Sequence, residues 1–353
     1  MGTGTSLDGA ASRASAKGAG VPVFEVRDLC VTFGTVRAVD RVSLIIDQGD
    51  IFAIVGESGC GKSTLVASLL AMVPPPGRIT GGSVYFEGSD LLKLPRQALR
   101  EVRGGRVGFV FQAAMNSLNP VLTIGKQAEH IWRAHRSGGR SGAEDMGHFG
   151  RILKTMGLAP ELVAPVYESQ LSGGMKQRVG IAMALMLKPS VLLLDEPTTA
   201  LDAVNQRMVI DYVRAVHEEL GITVVVVTHD LGLVAEVATR VAVMYAGRLV
   251  ETGSVDDMFY SERRHPYVRA LVGAIPSVLE GSAEPRAIPG QVPNLGHLPR
   301  GCRFSPRCPL ARAMCSEGEP ELVFDEERHG VACYVANGEG RLEGAGGPSD
   351  ELG

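Results

Sequence analysis

The run Gly56-Glu57-Ser58-Gly59-Cys60-Gly61-Lys62-Ser63-Thr64 constrains this chain more than any other stretch. It follows a continuous apolar segment, residues 51–55, that reads as a buried strand, and it opens a segment of helical character from 62 to 72. Glycines at 56, 59 and 61 let the backbone approach a ligand closely, so that successive N–H groups can wrap a polyphosphate. The helix that starts there adds the positive end of its dipole. In the pattern G-x-x-x-x-G-K-[ST], Lys62 is expected to reach the β- and γ-phosphates and Ser63 to ligate Mg2+. Strand, glycine-rich turn and helix in this order point to an α/β nucleotide-binding fold. They do not choose among kinases, GTPases and ATPases, which all use such a loop.

The rest of the chain fits that fold. From residue 21 to about 260, short apolar runs alternate with amphipathic stretches, as in a parallel α/β domain. Residues 24–26 and 42–46 read as early antiparallel strands. Residues 191–194 and 222–227 are bounded apolar runs suited to the buried centre of a parallel sheet. Residues from about 115 to 169 are richer in polar and helix-forming types and read as an inserted helical subdomain. Beyond His265 the prolines multiply, which marks a linker and an irregular C-terminal module. The first twenty residues are rich in Gly, Ala, Ser and Thr and read as a disordered tail without the apolar core of a secretory signal. A second such tail is expected over 338–353.

Composition excludes some functions. A net charge of −4 and the lack of a basic stripe argue against nucleic acid as a partner. Apolar runs such as 224–227 fall far short of the roughly 20 residues a membrane-spanning helix requires. At a membrane, the chain would have to dock onto other subunits.

Hydrolysis needs more than a phosphate cradle. Asp195 closes the apolar strand and can hold the Mg2+ shell, and Glu196 directly after it is placed to polarise an attacking water. His229 ends a second apolar strand, at the sheet edge where ligands gather in such folds. Gln112 ends a third strand-like run, 107–111. In Leu171-Ser172-Gly173-Gly174-Met175-Lys176-Gln177-Arg178, Ser172 can cap a helix, exposing N–H groups and a hydroxyl at a positive terminus. The first loop already cradles one phosphate chain. Two phosphate-binding ends in one chain suggest that two chains share each nucleotide.

That last stretch resembles the signature sequence of ABC ATPases, usually written LSGGQ, in which the signature of one subunit faces the phosphate loop of another. The order of motifs agrees: phosphate loop, Gln112, signature, Asp195-Glu196, Thr199-Ala200-Leu201-Asp202, then His229. The resemblance implies an ABC nucleotide-binding domain over 21–262, with an antiparallel β subdomain and a helical subdomain over about 113–170. It implies ATP and Mg2+ held by Gly56, Ser58, Gly59, Cys60, Gly61, Lys62, Ser63, Thr64, Gln112 and Asp195, with Phe33 stacked on adenine. Ser172, Gly173 and Gly174 would contact the nucleotide of the partner protomer, and Asp202 would lie at the dimer interface. Glu196, His229 and Gln112 would serve catalysis.

A narrower resemblance rests on Phe111-Gln112, on 117–125 (Ser-Leu-Asn-Pro-Val-Leu-Thr-Ile-Gly) and on Met175 in the signature. It is to the ATPases of oligopeptide/dipeptide importers, and within them to the D-type subunit. One departure is Ala113-Ala114, where an acidic residue and Pro are common. The partners this implies are an F-type ATPase subunit, two transmembrane permeases and an extracytoplasmic substrate-binding protein, with the chain peripheral on the cytoplasmic face of the inner membrane. Import of another cargo such as a nickel chelate, or a soluble ABC ATPase without a membrane partner, are the alternatives.

Of six cysteines, Cys30 and Cys60 stand alone, while Cys302, Cys308, Cys315 and Cys333 crowd the C-terminal stretch. In a chain of this kind such clustering points to metal more than to disulfides. Residues 263–337 resemble the C-terminal domain of the peptide-importer ATPases, which implies a [4Fe–4S] cluster on the four thiolates. Their spacing matches neither zinc-ribbon pairs nor the compact ferredoxin run, so zinc and four unligated thiols remain open.

Overall fold

The computed structural model describes residues 21–111, 118–135, 142–199, 201–275 and 288–338, with backbone alone at 142–145. The two expected tails, bar residue 338, and Gln112 with the neighbouring Ala113-Ala114 lie outside the described residues.

Among the described residues the strands form two sheets. β1 (Pro22–Phe33) and β2 (Val36–Asp47) form a hairpin that turns at Gly34, whose φ of 61° suits glycine. β3 (Ile51–Val55) precedes the phosphate loop, and β4 (Gly77–Phe86) and β5 (Ser89–Asp90) complete an antiparallel sheet of order β2-β1-β4-β5. The larger sheet takes in β6 (Val107–Val110), β7 (Val191–Asp195), β8 (Thr223–Thr228), β9 (Arg240–Tyr245), β10 (Arg248–Ser254), β11 (Val323–Phe324) and β12 (Gly330–Val331). Its order is β11-β12-β10-β9-β3-β8-β7-β6, with β9, β3, β8, β7 and β6 parallel.

The central strands carry no polar alternation because both faces are covered. Ile51, Ala53, Leu192, Leu194, Val224 and Val226 point into one core, shared with the helices Gly173–Leu185 and Ala203–Leu220. Phe52, Ile54, Leu193, Val225 and Val227 point into the other, against Leu65 and Leu69 of the helix Lys62–Leu69 and the antiparallel sheet. All the strands of the parallel centre therefore end on one edge, and that edge is where β3, β7 and β8 deliver Gly56, Glu196 and His229. Helices Ile124–Ala134, Gly142–Thr155 and Pro160–Val163 precede the signature helix in the stretch expected to be helical. Among the described residues no helix is long and apolar enough to cross a membrane.

The C-terminal stretch is largely irregular, as expected, but it does not stand as a separate Cys-rich module. β12 pairs with β10 and β11 with β12, so the segment continues the main sheet. Phe304 is buried against Tyr245 of β9 and Tyr267, with ring centroids 5.2 and 5.4 Å away. Arg303 enters the core to pair with buried Asp40 of β2. These contacts knit the segment into the α/β body.

The cluster expectation is also corrected. Cys302, Cys308, Cys315 and Cys333 line one small cavity. Yet among the described residues no three His, Cys, Asp or Glu side chains come together as a set able to hold a metal ion. All four thiols are free. Phe304 shares that lining, Cys302 and Cys308 pack against the main core, and no [4Fe–4S] or zinc set forms among the described residues.

Candidate nucleotide site

The phosphate loop is clamped between two strands by contacts that only glycine permits. A Cβ on Gly56 would lie 2.3 Å from the Met244 carbonyl oxygen of β9, and one on Gly61 2.2 Å from the Ala38 carbonyl oxygen of β2. Gly61 has a φ of 108° and caps the helix Lys62–Leu69. The Gly247 N–H donates to the Cys60 carbonyl at 2.8 Å, and the Cys60 side chain is buried, which pushes its thiol pKa up. Ser58 and Gly59 are exposed at the tip, while Ser63 and Thr64 are half-buried in the first turn. The close glycine contacts thus leave the loop's backbone open to a ligand, with Lys62 and Ser63 at its helix end.

Lys62 is only 4% exposed, and its ammonium donates to the carbonyls of Gly56 (2.7 Å) and Glu57 (3.0 Å), inside the loop's curve. The Ser63 hydroxyl donates to Asp195 Oδ1 at 3.0 Å. Burial, and secondarily the neighbouring Glu196, pushes the Asp195 carboxyl above its ordinary range, with the Ser63 bond pulling the other way. A buried carboxylate wanting a cation, next to a hydroxyl, is a donor set suited to Mg2+, a hard ion that takes oxygen ligands. The cradle of Gly56 and Gly61 suits a phosphate chain. Both groups fit.

Glu196 sits in the left-handed region, at φ 48°, which is strained for this residue type. Its N–H donates to the Val227 carbonyl at 2.9 Å, and its Oε2 accepts from the Thr199 hydroxyl at 2.9 Å. Exposed His229 Nδ1 stands 3.8 Å from Glu196 Oε1. The register Asp195↔Val227 explains the meeting, because adjacent parallel strands release their next residues side by side.

The signature lies on a different helix terminus. Ser172 Oγ accepts from the Met175 N–H at 3.3 Å and caps Gly173–Leu185. Ser172 is exposed, Gly173 half-buried and Gly174 buried against Asn205. Asn205 in turn bonds Asp202 through its N–H (2.9 Å) and side-chain amide (2.7 Å), tying the signature to the residue expected at the dimer interface. Half-buried Phe33 ends β1 with its ring over Gly77, where a Cβ would come 2.6 Å from Phe33 Cζ. Sequence reasoning missed Tyr267 and Arg307, which touch Glu57 inside the loop.

A single bound nucleotide needs one phosphate-binding helix end, and this chain presents two on separate helices. That doubling, with Asp195-Glu196 at a strand edge after both of them in sequence, defines an ATP-binding cassette ATPase. The model of the ABC transporter family matches residues 39–199, and that of the oligopeptide/dipeptide transporter C-terminal region matches 250–315. The chain is 40% identical to the dipeptide transport ATP-binding protein DppD of Haemophilus influenzae, over 89% of this chain and 95% of that protein. It is 39% identical to the oligopeptide transport ATP-binding protein OppD of Bacillus subtilis, over 89% and 88%. Its fold resembles a dimeric ATP-binding cassette solved in a post-hydrolysis state with ADP and Pi, with a TM-score of 0.58 and 32% identity, over 66% of this chain and 98% of that one. The chain belongs to the ABC transporter family, among the ATP-binding proteins of dipeptide and oligopeptide transport.

Proposed function

We propose that this chain hydrolyses ATP to drive peptide import through a membrane permease. The observation that carries this reading is the Ser63–Asp195 contact, which joins the phosphate loop to the acidic strand end in one protomer. The ATPase unit spans 21–262, and the region 263–337 is the extension shared with the peptide-transport relatives. Mg2+ held by Ser63, Asp195 and Gln112 would neutralise charge on the phosphates. Loop N–H groups of Gly56–Thr64 and the Lys62 ammonium bind the phosphate chain, and the half-buried Phe33 ring offers a face for adenine. Glu196 takes the proton of the attacking water, and His229 beside it orients toward the γ-phosphate. Ser172, Gly173 and Gly174 of one protomer close over the nucleotide of the other, and hydrolysis reopens the pair.

The partners are an F-type ATPase subunit, two permeases and an extracytoplasmic substrate-binding protein, and the chain sits on the cytoplasmic face of the inner membrane. Reconstitution with these partners in proteoliposomes tests the reading. ATP-dependent uptake of labelled di- or oligopeptides is the expected result. Uptake of nickel chelates without peptides, or ATP turnover with no transport at all, overturns it.

A further inference from the structure

A carboxylate is an unexpected neighbour for a triphosphate, yet Glu57 stands directly after Gly56 in the phosphate loop. The structure shows what restrains it. Arg307 Nη1 and Nη2 donate to Glu57 Oε2 and Oε1 at 2.6 and 3.0 Å, a bidentate fork from a side chain that is 5% exposed. The Glu57 N–H donates to the hydroxyl of fully buried Tyr267 at 2.9 Å. The Glu57 carbonyl accepts from Lys62 Nζ. All three polar parts of one loop residue are thereby fixed, two of them by residues 210 and 250 positions further along the chain. Arg307 is itself held: its Nε donates to the Pro289 carbonyl at 2.8 Å, and its guanidinium lies by the rings of Tyr245 and Phe304. The pair is built into the core and is not a chance surface contact.

We propose that Arg307 and Tyr267 are positioning residues for the nucleotide: through them the C-terminal segment neutralises Glu57 and fixes its peptide, so that the loop presents N–H groups and Lys62, not a free carboxylate, to the phosphates. The proposal rests on the reading that this loop binds ATP. It gives the segment beyond the ATPase unit a direct part in nucleotide affinity, and it explains how an acidic residue is tolerated there. Without the fork, Glu57 would keep its charge in a loop whose ligand is polyanionic, and like charges at this range repel strongly when partly shielded from water. Without the Tyr267 hydroxyl, the Glu57 N–H loses its partner and the peptide can rotate.

The test is equilibrium binding of MgATP to the full-length chain. Arg307→Met is expected to weaken binding about tenfold. Adding Glu57→Gln to it is expected to restore affinity to within about threefold of wild type, because the carboxylate that needed neutralising is gone. A merely structural arginine predicts the opposite, a double variant as weak as Arg307→Met. Tyr267→Phe is expected to cost about threefold. Should Arg307→Met fail to fold, Arg307→Lys carries the test: it keeps the charge without the fork, and about a threefold loss recovered by Glu57→Gln is expected. Unchanged affinity in the arginine variants, or no recovery on adding Glu57→Gln, overturns the proposal. Failure of the wild-type chain to bind MgATP overturns instead the nucleotide reading itself.

Discussion

Ser63 and Asp195 lie 132 positions apart, and the Ser63 hydroxyl donates to the Asp195 carboxylate across 3.0 Å. One belongs to the first turn of the phosphate-loop helix and the other to the end of β7, so the contact measures how β3 and β7 are spaced with β8 between them. If both are Mg2+ ligands, removing the hydroxyl should weaken the ion more than the nucleotide. Ser63→Ala is expected to raise the Mg2+ concentration for half-maximal ATPase activity about tenfold. Binding of ATP without Mg2+ should stay near wild type. An unchanged Mg2+ titration would remove Ser63 from the metal shell.

Glu196 is held by Thr199 and the Val227 carbonyl and faces His229, so the amide of glutamine can fill the same space without the basicity. Glu196→Gln is expected to bind ATP within about twofold of wild type and to lose on the order of a thousandfold in turnover. Single-turnover hydrolysis with the assembled transporter reads both quantities. Turnover near wild type counts against Glu196 as the base.

Gly174 links two motifs that are separate in sequence. A Cβ there would stand 2.5 Å from Asn205 Oδ1, and Asn205 is short and already bonded twice to Asp202. Gly174→Ala should therefore push Asn205 off and loosen Asp202 at the interface, leaving the phosphate loop alone. The expected outcome is ATP affinity of the isolated chain near wild type, with ATP-driven pairing of the two ATPase subunits weakened roughly tenfold. Light scattering with a non-hydrolysing Glu196→Gln background distinguishes the two. Equal pairing in both proteins would show that the contact yields freely.

The strand, glycine-rich loop and helix around Lys62 were legible because their pattern is local: glycines at fixed offsets, a strand before and a helix after. The meeting of Glu196 with His229 followed from two apolar runs ending in polar residues, since parallel pairing aligns such ends. The Arg307–Glu57 fork was hidden because nothing in the local sequence around either residue names the other. A signal did exist: an acid inside a phosphate loop calls for a cation somewhere. The cysteines misled for a related reason. Spacing along a proline-rich segment does not fix where thiols point, and here the segment's fold is dictated by Phe304 packing on Tyr245 and Tyr267 and by its strands joining β10.

His265 supplies a pH dependence from the same joint. It is 1% exposed, its ring Nδ1 accepts from the Tyr267 backbone N–H at 3.1 Å, and its backbone N–H donates to Glu251 Oε2 at 2.6 Å. Burial lowers the ring's pKa from 6.5 to about 3, in keeping with an Nδ1 that must stay unprotonated to cap the helix Pro266–Gly273. The unfolded chain takes up a proton below 6.5 while the folded one does not until about 3, so stability present above 6.5 is lost as pH falls through that window. Buried Glu251, whose carboxyl is pushed up by its own desolvation, has the opposite slope, which makes comparison with a variant necessary. His265→Asn keeps a side-chain acceptor and does not titrate. Between pH 6.5 and 5 the wild type is expected to lose about 2 kcal/mol more than His265→Asn, read from denaturant unfolding at each pH. Parallel stability curves for the two proteins would mean that the folded ring takes up its proton at nearly the same pH as the unfolded one, which removes His265 as the source of acid sensitivity at this joint.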